Sequence, residues 1–123
     1  MKKTVIVNAH VISPGVDLEN ATIVVAGERI ARVSAKKVAA KPDRDTTVVD
    51  VRGQYVMPGF IDVHTHGANG ADFCDADPQA VFTFAQAKLR EGVTTFLPTT
   101  LTVAHETLLA AAANARAYVA AGQ

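Results

Sequence analysis

Apolar and polar positions change rhythm near residue 58. Before it, short β-branched runs alternate with turn residues. "KTVIVNAHVI" (3–12) and "ATIVVAG" (21–27) read as strands, with "SPG" and "DLEN" as turn material between them. "ERIARVSA" (28–35) alternates less strictly, and Gly27 with Glu28 supplies a tight connection. After the polar stretch 36–45, "TTVVDVRG" (46–53) and "QYVMPGF" (54–60) resume the strand pattern, with Gly53 as a hairpin signal. Five or so short strands in this span predict part of a small β-sandwich over residues 1–57.

From residue 58 the segments lengthen and change type. "FIDVHTH" (60–66) is a strand. Residues 77–92 predict a helix, with Asp77 as N-cap, Pro78 at the first helical position and Gly92 just past the end. "VTTFLPTTL" (93–101) is a second buried strand, bent or ended at Pro98. From about Val103 to Ala121 a helix places Leu108, Ala111, Ala112, Ala115 and Val119 on one stripe, and Gly122 ends it. Strand, helix, strand, helix predicts parallel βα units, so the fold class is α/β. Two such units leave an apolar face and a free sheet edge. Residues 58–123 are therefore expected to be the first two βα units of a larger barrel, and the chain the N-terminal piece of a longer protein.

Composition narrows this picture only by exclusion. At 123 residues, with 49% hydrophobic and 20% charged residues, the chain has ordinary globular usage. Twelve basic against twelve acidic residues leave no footprint for nucleic acid. No apolar run approaches the roughly 20 residues of a membrane span. The N-terminal "MKKTVIVNAHVIS" is not a signal peptide, because Asn8 and His10 interrupt the run and no small-residue cleavage site follows. The single cysteine, Cys74, cannot form an internal disulfide and suits a reducing compartment. A soluble, cytoplasmic protein is expected.

The candidate chemistry lies in "PGFIDVHTHGANGADF" (58–73). On a regular strand, residues two apart share a face, so Asp62, His64 and His66 are expected on one side and Ile61, Val63 and Thr65 on the other. The histidine Cα atoms would be roughly 7 Å apart, close enough for two ring nitrogens to converge on one cation. Neutral imidazole suits zinc, iron or nickel, and two unpartnered imidazoles would be costly to bury. The pair also falls at the end of the first barrel-type strand, the edge where active sites of such barrels form. The bland alternative is one surface histidine and one bonded to a carbonyl.

The run "VVDVRGQYVMPGFIDVHTHG" (48–67), preceded by "IVVAGERIARV" (23–33), resembles the opening of amidohydrolase-superfamily enzymes. "GFIDVHTHGANGADFCDAD" (59–77) followed by "EGVTTFLPTTLT" (91–102) most resembles the N-acetylglucosamine-6-phosphate deacetylase family. The resemblance implies a (β/α)₈ barrel with a small β-sandwich, here incomplete. It implies a cytoplasmic, homodimeric, metal-dependent hydrolase acting on a small amino-sugar phosphate, with acetate and glucosamine 6-phosphate as products. His64 and His66 match the family's H-x-H metal pair, and zinc or iron, one ion or two, is implied. The metal-bridging Glu, two further metal-binding His residues and the catalytic Asp would fall beyond Gln123, so no catalytic residue is assigned within the chain and the isolated chain is expected to be inactive. Two rival readings are a cyclic-amide hydrolase or deaminase of the same superfamily, and a non-catalytic, self-associating piece.

Other residues carry two readings each. Asp62 would support a metal ligand from the second shell of contacts or make a structural hydrogen bond. Gly67, Asn69, Gly70 and Asp72 would form a loop bordering the substrate, or ordinary turns. Thr99, Thr100 and Thr102 cluster at the end of the second strand, and Thr102 is expected to cap the last helix. Cys74 is expected to be a packed thiol, and His10 and His105 structural or solvated. The alanine-rich "LLAAAANARAYVAA" fits an outer barrel helix better than a membrane-active peptide.

Overall fold

Strand β1 (Lys3–Ser13) organises the first part of the computed structural model, which describes residues 2–36, 38 and 40–122. Its alternation is strict: Val5, Val7, Ala9 and Val11 are buried and their neighbours are not. Pro14 and Gly15 turn the chain into β2 (Val16–Ala26), which runs antiparallel to β1, and β3 (Arg29–Ser34) continues the meander on β2. On the other edge of β1 lie β4 (Thr46–Asp50) and β5 (Tyr55–Val56), both parallel to it. Ala9, Val11, Ala21 and Ile23 form the buried centre, with Ile6, Leu18, Val25, Val51 and Val56 packed on it. Each fully buried Val or Ile contributes about 1.5–3 kcal/mol.

Two expectations change here. "DLEN" is strand, not turn: β2 runs through it, and the irregularity is absorbed by β-bulges where Asn8 (φ 54°) and Asn20 (φ 52°) take left-handed backbone. Arg52 (φ 52°) and Gly53 (φ 83°) do turn the chain, but no hairpin follows. The chain leaves β1 after Asp50, is held by Gly53 N–H donating to Asn8 O at 2.7 Å, and rejoins the same edge as β5. In this first part the described strands form one five-stranded mixed sheet, of order β3-β2-β1-β4 with β5 also on β1.

The chain divides into two compact units, Met1–Pro58 and Gly59–Gln123. In the second, β6 (Phe60–Thr65) pairs in parallel with β9 (Val93–Pro98). Between them come the two-residue strands β7 (Gly67–Ala68) and β8 (Ala71–Asp72), a 3-10 turn (Phe73–Asp75) and helix α1 (Pro78–Arg90). Helix α2 (His105–Ala120) follows β9. Helix α1 starts as the sequence predicts: Gln79 N–H donates to Asp77 Oδ1 at 2.9 Å, Pro78 occupies the first turn, and Gly92 (φ 83°) lies just beyond its end. Phe73, Val81, Phe84 and Ala111 form the core, and Phe84 meets Phe96 edge-on at 5.1 Å.

Helix α2 departs from its sequence reading at both start and stripe. It begins at His105 with Ala104 in the cap position and no side-chain cap, so Thr102 does not cap it. The residues packed on the core are Ala111, Ala115 and Tyr118, while Ala112 and Val119 are exposed. Tyr118, rather than Val119, supplies the large side chain of that contact. No described helix is long and apolar enough to cross a membrane.

Candidate metal-binding site

The geometry of the site starts from a step in strand pairing. Asp62 pairs with Phe96 and Thr65 with Pro98, so β6 takes three residues where β9 takes two. Cross-strand partners point to the same side, and Phe96 and Pro98 share a side, so Asp62 and Thr65 do too. That side carries the helices: Phe96 joins the Phe84 core, and Thr65 is 6% exposed. His64 and His66, which flank Thr65, therefore lie opposite. The alternation expected from the sequence fails at this bulge. It separates Asp62 from the histidine face and leaves Ile61 (66% exposed) and Val63 (68%) uncovered while Thr65 is buried.

The two histidine rings converge. Their Nε2 atoms lie 3.2 Å apart and the rings are nearly perpendicular. His66 Nδ1 lies 2.8 Å from Thr99 O, and Thr99 N–H donates to Thr65 O at 2.7 Å, so the ends of β6 and β9 are clamped around the ring. A carbonyl only accepts, so Nδ1 of His66 carries the proton and Nε2 of the neutral ring presents a lone pair. Two nitrogens bound to one tetrahedral zinc at about 2.0–2.1 Å would be separated by roughly 3.3 Å. The residues present thus fit two ligands of one cation. Among the described residues no group of three or more His, Cys, Asp or Glu side chains is placed to hold a metal.

Asp62 acts on the backbone of the pair, not on its rings. Its Oδ1 accepts the His64 N–H at 3.1 Å, and its Oδ2 lies 3.2 Å from Lys88 Nζ on α1. The His64 N–H first, and Lys88 second, hold the Asp62 carboxyl below the usual carboxylate range. Hydrogen bonds to Glu91 and then to Asp62 raise the Lys88 ammonium above its ordinary value. Sequence reading did not single out Lys88. A basic residue in the last turn of a helix is ordinary and does not draw notice in a sequence.

The loop after His66 is a two-residue β-hairpin. Asn69 (φ 55°) and Gly70 (φ 77°) both take left-handed backbone, the requirement of a type I′ turn, which "Asn-Gly" signals. A Cβ on Gly67 would overlap the Ala71 carbonyl oxygen, so only glycine allows the two strands this close. Asp72 accepts from Cys74 N–H at 2.7 Å, and Asp72 N–H donates to Asp75 Oδ2 at 2.8 Å, capping the 3-10 turn. Phe73 N–H donates to His66 O at 2.6 Å, tying the hairpin back to the histidine pair. Cys74 is a half-buried thiol whose sulfur accepts from Leu101 N–H at 3.3 Å. His10 belongs to the sheet unit, with Nε2 2.7 Å from Asp17 Oδ1 and its ring 4.6 Å from that of Tyr55.

Comparison with known proteins finds deacetylases of amino-sugar phosphates among the relatives of this chain. The chain is 35% identical over 80 residues to an N-acetylgalactosamine-6-phosphate deacetylase of Escherichia coli O157:H7, covering 65% of the chain and 21% of that protein. It is 41% identical over 66 residues to the N-acetylglucosamine-6-phosphate deacetylase of Bacillus subtilis strain 168, covering 54% of the chain and 17% of that protein. The crystal structure of N-acetylglucosamine-6-phosphate deacetylase from Pasteurella multocida superposes with a TM-score of 0.83 at 26% identity, over 96% of this chain and 31% of that one. The chain belongs with these amidohydrolases, matching their N-terminal part.

No protein-family model matches the chain. Dihydroorotases also occur among its relatives. The amidohydrolase chain spans about a fifth of the length of the curated relatives it matches, and about a third of the solved structures. The match to the Pasteurella multocida structure extends over 96% of this chain, so it takes in the five-stranded sheet as well as the H-x-H strand.

Proposed function

We propose that this amidohydrolase chain carries the histidine pair of a metal-dependent amide hydrolase whose reaction is the deacetylation of N-acetylglucosamine 6-phosphate. The observation that carries this reading is the 3.2 Å approach of His64 Nε2 to His66 Nε2, with the His66 tautomer set by Thr99 O. His64 and His66 would hold the cation, zinc or iron, as one site or half of a two-ion site. When bound, a divalent cation supplies Lewis acidity toward the amide carbonyl.

The chain's own residues prepare that site. Thr99 fixes which nitrogen of His66 is bare, Asp62 holds the His64 backbone, and the hairpin of Gly67, Asn69, Gly70 and Asp72 borders the pair on the substrate side. In this reading the five-stranded sheet over residues 1–57 is part of a β-sandwich, and residues 58–123 are the first two βα units of a barrel. The parent enzyme is a cytoplasmic homodimer.

A second reading has one specific support, the dihydroorotases among the relatives: hydrolysis of a cyclic amide by the same histidine pair. Expressing the complete gene product and assaying acetate release from N-acetylglucosamine 6-phosphate beside ring opening of dihydroorotate separates the two. Acetate release abolished by chelation and restored by zinc or iron supports the deacetylase. Ring opening without acetate release supports the alternative.

A further inference from the structure

We propose that Lys88 is a positioning residue for the histidine pair: by holding Asp62 against α1, it fixes the strand bulge that turns His64 toward His66. The inference rests on the metal-site reading above, and concerns how this chain keeps the two rings together.

Between Asp62 and Thr65, β6 carries one residue more than the facing stretch of β9, and an extra residue in a bulge loses its ladder hydrogen bond. The His64 N–H is instead satisfied by Asp62 Oδ1 at 3.1 Å. A carboxylate two residues back makes this turn only while its own rotamer is held. Lys88 supplies that restraint through the other oxygen, at 3.2 Å, and Lys88 is itself held by Glu91 Oε2 at 3.1 Å. The Lys88 side chain is 15% exposed, far less than a solvated lysine, so its ammonium meets Asp62 largely shielded from solvent. The chain of contacts runs from α1 through Asp62 to the amide of the first histidine, on the face opposite the rings. Groups that hold a metal ligand's geometry from outside typically change affinity by about 10–100-fold when lost.

The test uses the full 123-residue chain, with Co(II) as the metal probe and ¹⁵N NMR of the His64 amide as a metal-free readout. In wild type, a hydrogen-bonded, exchange-protected His64 amide is expected. Lys88→Met should weaken Co(II) binding by about tenfold or more and remove that protection. Lys88→Arg, which keeps the charge, should restore both. Arg90→Met, at an exposed cation in the same turn of α1, should change neither. Should Lys88→Met fail to fold, Asp62→Asn keeps an acceptor for the His64 N–H but drops the ion pair, and the same loss of protection is expected. A folded Lys88→Met or Asp62→Asn chain with an unaltered His64 amide overturns the proposal. Wild type that binds no Co(II) overturns the metal reading instead, and the amide readout still decides the role of Lys88.

Discussion

Nδ1 of His66 faces the carbonyl oxygen of Thr99 at 2.8 Å, while Nε2 of the same ring faces Nε2 of His64 at 3.2 Å. The first contact needs a proton on Nδ1, so the second needs one on His64 Nε2 when no cation is present. Nitrogen-15 NMR of the metal-free chain should find His66 as the Nδ1–H tautomer and His64 as the Nε2–H tautomer. Adding zinc should move the His64 proton to Nδ1 and leave His66 unchanged. A His66 ring protonated at Nε2 would contradict the assignment.

Two ligands bind a cation less firmly than the three protein ligands usual for a catalytic zinc. The isolated 123-residue chain should therefore bind Co(II) or zinc without hydrolysing N-acetylglucosamine 6-phosphate. Calorimetry should show binding reduced more than about tenfold by either His64→Ala or His66→Ala, since even indirect partners of a metal ligand count for that much. Robust acetate release by the purified 1–123 chain would sink this expectation.

Gly67→Ala tests the hairpin that follows the pair. The added methyl would collide with the Ala71 backbone, which has no rotamer with which to yield. A loss of about 1–3 kcal/mol in unfolding free energy is expected, with increased amide exchange at Phe73, whose N–H bonds to His66 O. Unchanged stability would mean that β7 and β8 separate more easily than their register implies.

Phe84 is fully buried and packs edge-on against Phe96. Phe84→Ala should cost about 3–5 kcal/mol in the second unit, read by urea unfolding with hydrogen exchange along α1. The sheet unit, with its own core of Ala9, Val11, Ala21 and Ile23, should keep its exchange protection.

The Lys88–Asp62 contact has a pH signature. Lys88 titrates higher in the folded chain than the ordinary lysine value of about 10.4. A raised pKa stabilises the folded state fully below the unfolded value, and that stabilisation is lost as pH rises through the folded value. Thermal stability should therefore fall on the alkaline side, above about pH 10.4, by less in Lys88→Met than in wild type. Equal alkaline loss in both chains would place the titrating group elsewhere.

Much of this arrangement is legible in the sequence because local rules decide it. Asp77-Pro78 and Gly92 bracket α1 by capping chemistry alone, and the period-two pattern of Val5 to Val11 marks β1. The H-x-H pair is legible because two residues between which one intervenes share a face whether or not a bulge precedes them. The separation of Asp62 from that face is not legible, because a bulge is set by pairing with a strand more than thirty residues later. The parallel return of β5 is hidden for the same reason: Arg52-Gly53 specifies a turn but not which edge receives the strand after it. Lys88 escaped notice because its partner lies on another element, and a charge in the last turn of a helix is ordinary.

Strand β1 has consequences for the order of assembly. Its antiparallel partner β2 follows after a turn at Pro14-Gly15, so that pairing closes a very short loop, whereas Lys3 meets Thr46 only after more than forty residues have been made. Loop-closure entropy favours the near pairing first. On that ground the β1-β2-β3 meander is expected to form first during synthesis, with one edge of β1 open until Thr46–Val56 emerges to cover it. The left-handed Asn8, whose carbonyl later receives the Gly53 N–H and whose side chain donates to Asp50 at 2.8 Å, sits in the middle of that waiting edge. It breaks a row of free backbone groups that would otherwise template the pairing of one nascent chain with another.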